Sequence, residues 1–241
     1  MKKVLGVIGG LGPEAGLAFC LHVTRRAAAQ DGAAPHIILD SVSIPKESMV
    51  EFAHGGEPEG GKEALLESVR RLNNAGASII TIPCNTVHAF INDFRAASSK
   101  PIISIIEETA SACKRLGVKK ICLLATSKTI NSRLYHSQFA GAGIGVVCPG
   151  ADAQNRLEDI IIKINCLDGE PSDYEEIASI AVSLAKEHQA ELVVLGCTDL
   201  SPAAGKIMAS GVKVVDSLVE LEAAIVSHPI WNKHPCPPIL Q

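Results

Sequence analysis

Aromatic residues are scarce in this chain: Phe, Tyr and Trp together make up 3% of 241 residues. A core with so few rings must be filled by Ile, Val, Leu and Ala, the mixture preferred by parallel sheets buried on both faces. No block of Lys and Arg offsets the net charge of −4, so the electrostatic footprint of a nucleic-acid binder or a membrane-surface binder is missing. No apolar run approaches the roughly 18–20 residues of a membrane-spanning helix. Met1-Lys2-Lys3 has the charge of a signal-peptide start, but the apolar segment behind it is short and broken by Gly6, Gly9 and Gly10. It reads as the first strand of a cytoplasmic protein. The eight cysteines form no Cys-x-x-Cys pair, and a chain that is 47% hydrophobic needs no disulfide framework. Most of these thiols read as small core hydrophobes. Length leaves open one large domain or two small ones.

Two cysteines stand apart. Cys84 follows the apolar run Ser78-Ile-Ile-Thr-Ile82, and Cys197 follows Leu192-Val-Val-Leu195. Each precedes a Thr suited to starting a helix, Thr86 after Asn85 and Thr198 directly. Both therefore belong at the carboxyl end of a buried strand just before a helix N-terminus. The free amides and dipole there are expected to favour a thiolate, and ligands of open α/β sheets bind at that edge.

The order of elements around these cysteines repeats. In the first half, strand Val4–Ile8 enters the glycine loop Gly9-Gly10-Leu11-Gly12-Pro13, with proline placed for the first turn of a helix. Strand His36–Leu39, a loop around Ser43–Ser48, a helix through Leu65, Leu66, Val69 and Leu72, the Cys84 strand with its helix, and strand Pro101–Ile105 follow. The second half has strand Lys120–Leu124, a helix through Leu134 and Tyr135, strand Ile144–Val147, two helical stretches, the Cys197 strand and strand Val212–Val215. The alternation predicts an α/β fold of two pseudo-symmetric parallel-sheet lobes arising by internal duplication, with the active site in the cleft between them. The first lobe is expected over residues 1–107 plus 215–241 and the second over 108–214. Helices near Glu107 and Leu218 would cross between them.

Two thiols on opposite walls of a cleft can invert a carbon stereocentre without a cofactor: one thiolate removes the proton and the opposite thiol delivers another to the far face. The α-carbon of an amino acid is weakly acidic, so donors preorganised at its carboxylate are the main lever. Asn85, Thr86 and Thr198, with the amides at the two helix starts, can supply them. Gly10 to Gly12 permit close backbone approach.

Gly9-Gly10-Leu11-Gly12-Pro13-Glu14-Ala15, Pro83-Cys84-Asn85-Thr86 and Gly196-Cys197-Thr198-Asp199-Leu200 together resemble the aspartate/glutamate racemase family, in its aspartate racemase branch. The resemblance covers nearly the whole chain short of its proline-rich tail. It implies a racemase that uses neither metal nor pyridoxal phosphate and acts on a small-molecule amino acid, commonly as a homodimer. It makes Cys84 and Cys197 the acid/base pair. Asn85, Thr86 and Thr198 would hold the α-carboxylate and amine, Thr126 and the loop of Leu11 and Gly12 would line the cleft, and Lys163 would meet a substrate carboxylate. Where branch members acting on aspartate carry an arginine, this chain reads Pro45-Lys46-Glu47. Glu47 would repel an acidic side chain unless Lys46 or Lys163 compensates, so the preferred side chain stays open: acidic, neutral or basic. Asp199 stands where glutamate is usual, which keeps the charge.

Other readings remain. His88, one turn beyond Cys84, could tune a thiolate as an imidazolium or make a structural hydrogen bond. Gly10-x-Gly12-x-x-Ala15 loosely matches a dinucleotide fingerprint, but Asp40 lies too far along to complete it. A related two-cysteine isomerase acting on maleate or a hydantoin, or a non-catalytic amino-acid-binding protein, would carry the same cysteines. His228, His234 and Cys236 near the end are potential metal ligands at a spacing that matches no known site, within a stretch too rich in proline for regular structure.

Overall fold

The computed structural model of the chain describes residues 3–231; His234 and Cys236 lie outside them. Its first half runs β1 (Val4–Gly9), α1 (Pro13–Asp31), β2 (His36–Ser41), α2 (Lys46–Ala53), α3 (Gly61–Asn74), β3 (Ile79–Thr81), a 3-10 turn (Thr86–Phe90) continuing into α4 (Ile91–Ala97), and β4 (Ile102–Ile103). Helix α5 (Ile105–Arg115) leads to the second half: β5 (Lys120–Leu124), α6 (Ser127–Asn131), α7 (Leu134–Phe139), β6 (Gly145–Val147), α8 (Ala151–Asn165), α9 (Pro171–His188) and β7 (Leu192–Leu195). A second 3-10 turn (Thr198–Ala203) runs into α10 (Ala204–Ala209), then β8 (Val214–Asp216) and α11 (Ser217–Ser227).

Two four-stranded sheets result, ordered β2-β1-β3-β4 and β6-β5-β7-β8, with every pairing parallel. The repeated order is the expected α/β architecture. In each sheet the chain leaves its first strand toward one edge and later returns to fill the other. The crevice at that reversal lies between β1 and β3, and between β5 and β7. Gly10–Gly12 follow β1, Cys84 follows β3, Thr126 follows β5 and Cys197 follows β7.

One core cluster passes through both sheets, joining Leu5, Val7 and Phe19 to Ile121, Leu123 and Tyr135, with Leu221 and Ile225 of α11. Separate clusters cover the outer faces, one under α8 and α9 and one under α3 and α4. Each fully buried Leu or Ile contributes roughly 1.5–3 kcal/mol, so these aliphatic clusters hold the fold without many rings. Cys113 and Cys122 are fully buried within them. Helix α11 packs on α5 and returns to α1, where Glu222 meets His22 at 2.8 Å and Arg26 at 3.3 Å.

Three local expectations change. The stretch from Lys46 onward is a helix rather than part of a loop: extended Pro45 caps it, Glu47 occupies the first turn, and Phe52 and Ala53 are buried. The turns after the cysteines are 3-10, not α-helical, and neither Thr86 nor Thr198 is the capping residue. Strand β4 has shrunk to two residues because Ser104 already caps α5 through the Glu107 amide.

Candidate active site

The four strand-end loops converge on a cleft of about 530 Å³, counting its open mouth, lined by Leu11, Cys84, Asn85, Thr86, Thr126, Cys197 and Thr198 among others. Both thiols reach it from opposite sheets, and both are nearly covered, with Cys84 9% and Cys197 6% exposed.

The same residues tie the halves of the molecule together. Asn85 donates to Ser217 Oγ at 3.0 Å and accepts from the Tyr135 hydroxyl at 2.6 Å. The Thr86 and Thr126 hydroxyls lie 3.0 Å apart, and Thr198 donates to the Pro83 carbonyl at 3.4 Å. Asn85's side-chain oxygen is therefore engaged within the protein. Near the mouth, Lys128 donates to the Gly55 carbonyl and to Glu57, each at 3.1 Å. His54 also lies 3.5 Å from the buried Glu158.

Burial pushes the Cys84 thiol up to about 11, against the pull of the Val87 and Thr86 amides aimed at it, and the Asp199 charge adds to the rise. Burial and Asp199 drive Cys197 further up, although the Asp199 amide points at its sulfur. The expectation that helix starts would hold ready thiolates is corrected: short 3-10 turns contribute a few amides, and desolvation outweighs them. His88 is likewise no imidazolium. Burial lowers it to about 4, and its Nδ1 donates to the Cys84 carbonyl at 2.7 Å rather than to the sulfur.

Asp199 does more than keep a charge. Its carboxylate lies 3.6 Å from Cys197 Sγ and takes a hydrogen bond from the Asn165 amide. Burial lifts it to about 7, with Glu14 adding to the rise and the Cys197 and Asn165 hydrogen bonds opposing it. Burial thus makes Asp199 a much weaker acid than an ordinary carboxyl, directly beside a thiol.

Gly12 has φ 96°, and a Cβ there would meet Asp199 Oδ1 at 2.9 Å; Gly10 has φ 85°, and a Cβ would run into the Val42 carbonyl at 2.0 Å. The loop's glycines are thus required by the protein's own packing, not by an approaching pyrophosphate, and the dinucleotide reading loses its basis.

Three expected residues do not line the cleft: Gly12, whose loop reaches it through Leu11, Lys163 and Lys46. Lys163 is held outside by Asp173 at 3.0 Å and Glu170 at 3.1 Å. On α8 it lies about 200° around the axis from Ile161 and Asn165 but about 60° from Cys166, all three of which line the cleft, so it stands at the edge of the lining face. Lys46 is exposed at the first turn of α2, one turn before the lining Met49 and Val50. Glu47 is exposed beside it, so the expected repulsion of a substrate carboxylate has no group in the cleft to exert it. Residues that the sequence reading left out include Asn165, whose buried Oδ1 has no partner, and the apolar lining from Met49, Val50, Ile161 and Ile162. Among the described residues no group of His, Cys, Asp and Glu is arranged to hold a metal, and no helix is long and apolar enough to cross a membrane.

A parallel α/β molecule with paired thiols at matching strand ends defines a class, and the family comparison names it: the chain belongs to the Asp/Glu/hydantoin racemase family, whose model matches residues 8–224. Among individual relatives, it is 26% identical over 231 residues to the broad specificity amino-acid racemase RacX of Bacillus subtilis (strain 168), covering 93% of this chain and 97% of that one. The aspartate racemase of Picrophilus torridus superposes with a TM-score of 0.76 at 25% identity, covering 93% of each chain. An aspartate racemase homologue from Pyrococcus horikoshii OT3 gives 0.71 at 26% identity, over 96% of this chain and all of that one, 100%.

Proposed function

We propose that this protein is a cofactor-independent amino-acid racemase in which Cys84 and Cys197 exchange the α-proton on opposite faces of the substrate. One observation carries the reading: two buried thiols from matching positions of two like sheets line a single cleft. The proposed lobes are residues 1–107 plus 215–241 and residues 108–214, with β8 at the boundary completing the second sheet.

In this mechanism the substrate's ammonium supplies the positive charge that the cleft lacks, and so lowers both thiols toward ionisation. In one direction ionised Asp199 accepts the Cys197 proton while Cys84 stays a thiol; in the other, Cys84 gives its proton to solvent, the Thr86 and Val87 amides stabilise its thiolate, and Cys197 stays protonated. The thiolate takes the α-proton and the opposite thiol returns one to the other face. Amides and hydroxyls at Thr86, Thr126 and Thr198 steady the charge gathering on the α-carboxylate. Asn165 Oδ1, buried without a partner, suits an ammonium donor and favours a free amino acid over a hydantoin ring. The Cys197–Asp199 pair favours catalysis over simple binding. Neither Lys46 nor Lys163 has a part in it.

The test is proton NMR in D₂O with reductant and an amino-acid panel. Loss of the α-proton signal with growth of the opposite enantiomer is expected from wild type, and full racemisation by Cys84→Ser or Cys197→Ser would sink the two-base assignment. A cytoplasmic homodimer completes the proposal; Leu17 and Leu21, exposed on α1, support a self-association face, which light scattering checks.

A further inference from the structure

We infer, resting on the racemase reading, that the cleft selects amino acids with an uncharged aliphatic side chain. Cys84 and Cys197 fix where the α-carbon must lie. The rest of the lining is then divided by chemistry. Polar groups gather at the strand-end loops: Thr86, Thr126 and Thr198, with Asn165 and Asp199 beside Cys197. They answer to the carboxylate and ammonium that every α-amino acid carries. Apart from Asn85, which Ser217 and Tyr135 hold, and the Cys166 thiol, the remaining lining is apolar, most of it from α2 and α8. Met49 and Val50 are half-buried, Ile161 is fully covered, and Ile162 is half-buried beside it.

A side-chain carboxylate placed there would be desolvated without a counter-charge, since among the described residues no Lys or Arg lines the cleft. Burying an ion under those conditions is strongly unfavourable. Two of the nearby cations are committed elsewhere. Lys163 is paired with Asp173 and Glu170, and Lys128 with Glu57 and the Gly55 carbonyl. Lys46 is exposed one helical turn outside the lining. A basic side chain fares no better against Met and Ile, and the single carboxylate in the lining, Asp199, is occupied with Cys197 and Asn165. An aliphatic side chain gains from contact with this wall and loses nothing. Helix α2 is thus a specificity element. It lies where the family resemblance places an arginine for acidic substrates.

The experiment is α-proton exchange in D₂O for both enantiomers of alanine, valine, leucine, methionine, aspartate, glutamate and lysine. A preference in kcat/KM of at least about tenfold for an aliphatic substrate over all three charged ones is expected, the scale on which a pocket discriminates by burial. The half-buried Val50→Arg variant should reverse part of it, lowering the aliphatic kcat/KM roughly tenfold and raising that for aspartate, with its melting curve as the folding control. Wild-type preference for aspartate, glutamate or lysine, or equal rates across the panel, would overturn the side-chain assignment and leave the racemase reading standing. Exchange of no amino acid at all would overturn both.

Discussion

Cys84 and Cys197 occupy equivalent places in two sheets of identical strand order, yet their surroundings are electrically unlike. The groups in contact with Cys84 are neutral, the Thr86 and Val87 amides facing the sulfur and an uncharged His88 fastening the residue's own carbonyl, and Asp199 reaches it only through its charge. Cys197 has a carboxylate at hydrogen-bond distance, and that carboxylate titrates near 7. The two walls share one strand order, and the second sets a carboxylate in contact with its thiol. A stereocentre inverted between unlike walls is approached by a thiol with amide support on one face and by a thiol with a proton acceptor on the other. The two directions of the reaction should therefore answer differently to pH and to mutation.

The largest expected effect is the loss of either thiol. Cys84→Ser and Cys197→Ser should each lower racemisation by about 10²–10⁴-fold, the worth of a positioned acid or base. Each should retain α-proton exchange with one enantiomer, opposite in the two variants; NMR in D₂O reads both. If both keep the same enantiomer, the cysteines do not serve opposite faces.

Asp199→Asn tests the asymmetry itself. Activity in the direction that begins at Cys197 should rise with pH through about 7 in wild type, as the carboxylate ionises. The variant should lose that limb and roughly tenfold or more of the rate. With the carboxylate's charge gone, Cys197 should ionise more readily, which iodoacetamide labelling in the Cys84→Ser background would register. An unchanged pH profile would make the two walls equivalent.

A smaller effect is expected at the seam. Thr126→Val removes the hydroxyl that meets Thr86 and accepts from the Thr129 amide. The buried groups left unpaired should cost about 1–3 kcal/mol in urea unfolding. The smallest effect is on stability alone. Asp216, on the acidic side, is raised by burial to about 6 from 3.8, so the stability it lends is complete below about pH 4 and is lost as pH rises through 6. Asp216→Asn should raise the melting temperature at pH 8, by at most about 3 kcal/mol in stability, and do nothing at pH 4. A constant difference across that range would place the Asp216 shift elsewhere.

The sheets were legible because each strand is a short continuous apolar run, buried throughout in β1, β3 and β7. The cysteines were legible because their contexts repeat. Helix α2 was missed, although Pro45 before an acidic first turn was an available start signal; its few apolar residues are too short a sample for periodicity. The place of Lys163 in the site came from the family resemblance alone, without its angle on α8. Leu157, Ile160, Ile161 and Ile164 mark the buried stripe, and Lys163 falls off it. The raised thiols depend on burial in a cleft closed from both sheets, which no local pattern encodes.

Gly12 has no side chain to offer a ligand, yet its Cα hydrogen sets the clearance under Asp199, where a methyl would lie 2.9 Å from Oδ1. In a library that varied this chain one position at a time, Gly12 should score as intolerant in an activity screen. Read alone, such a score would be mistaken for substrate contact. What it would record is a spacing tolerance of a few tenths of an ångström, transmitted from a backbone loop in one half of the molecule to a proton acceptor in the other.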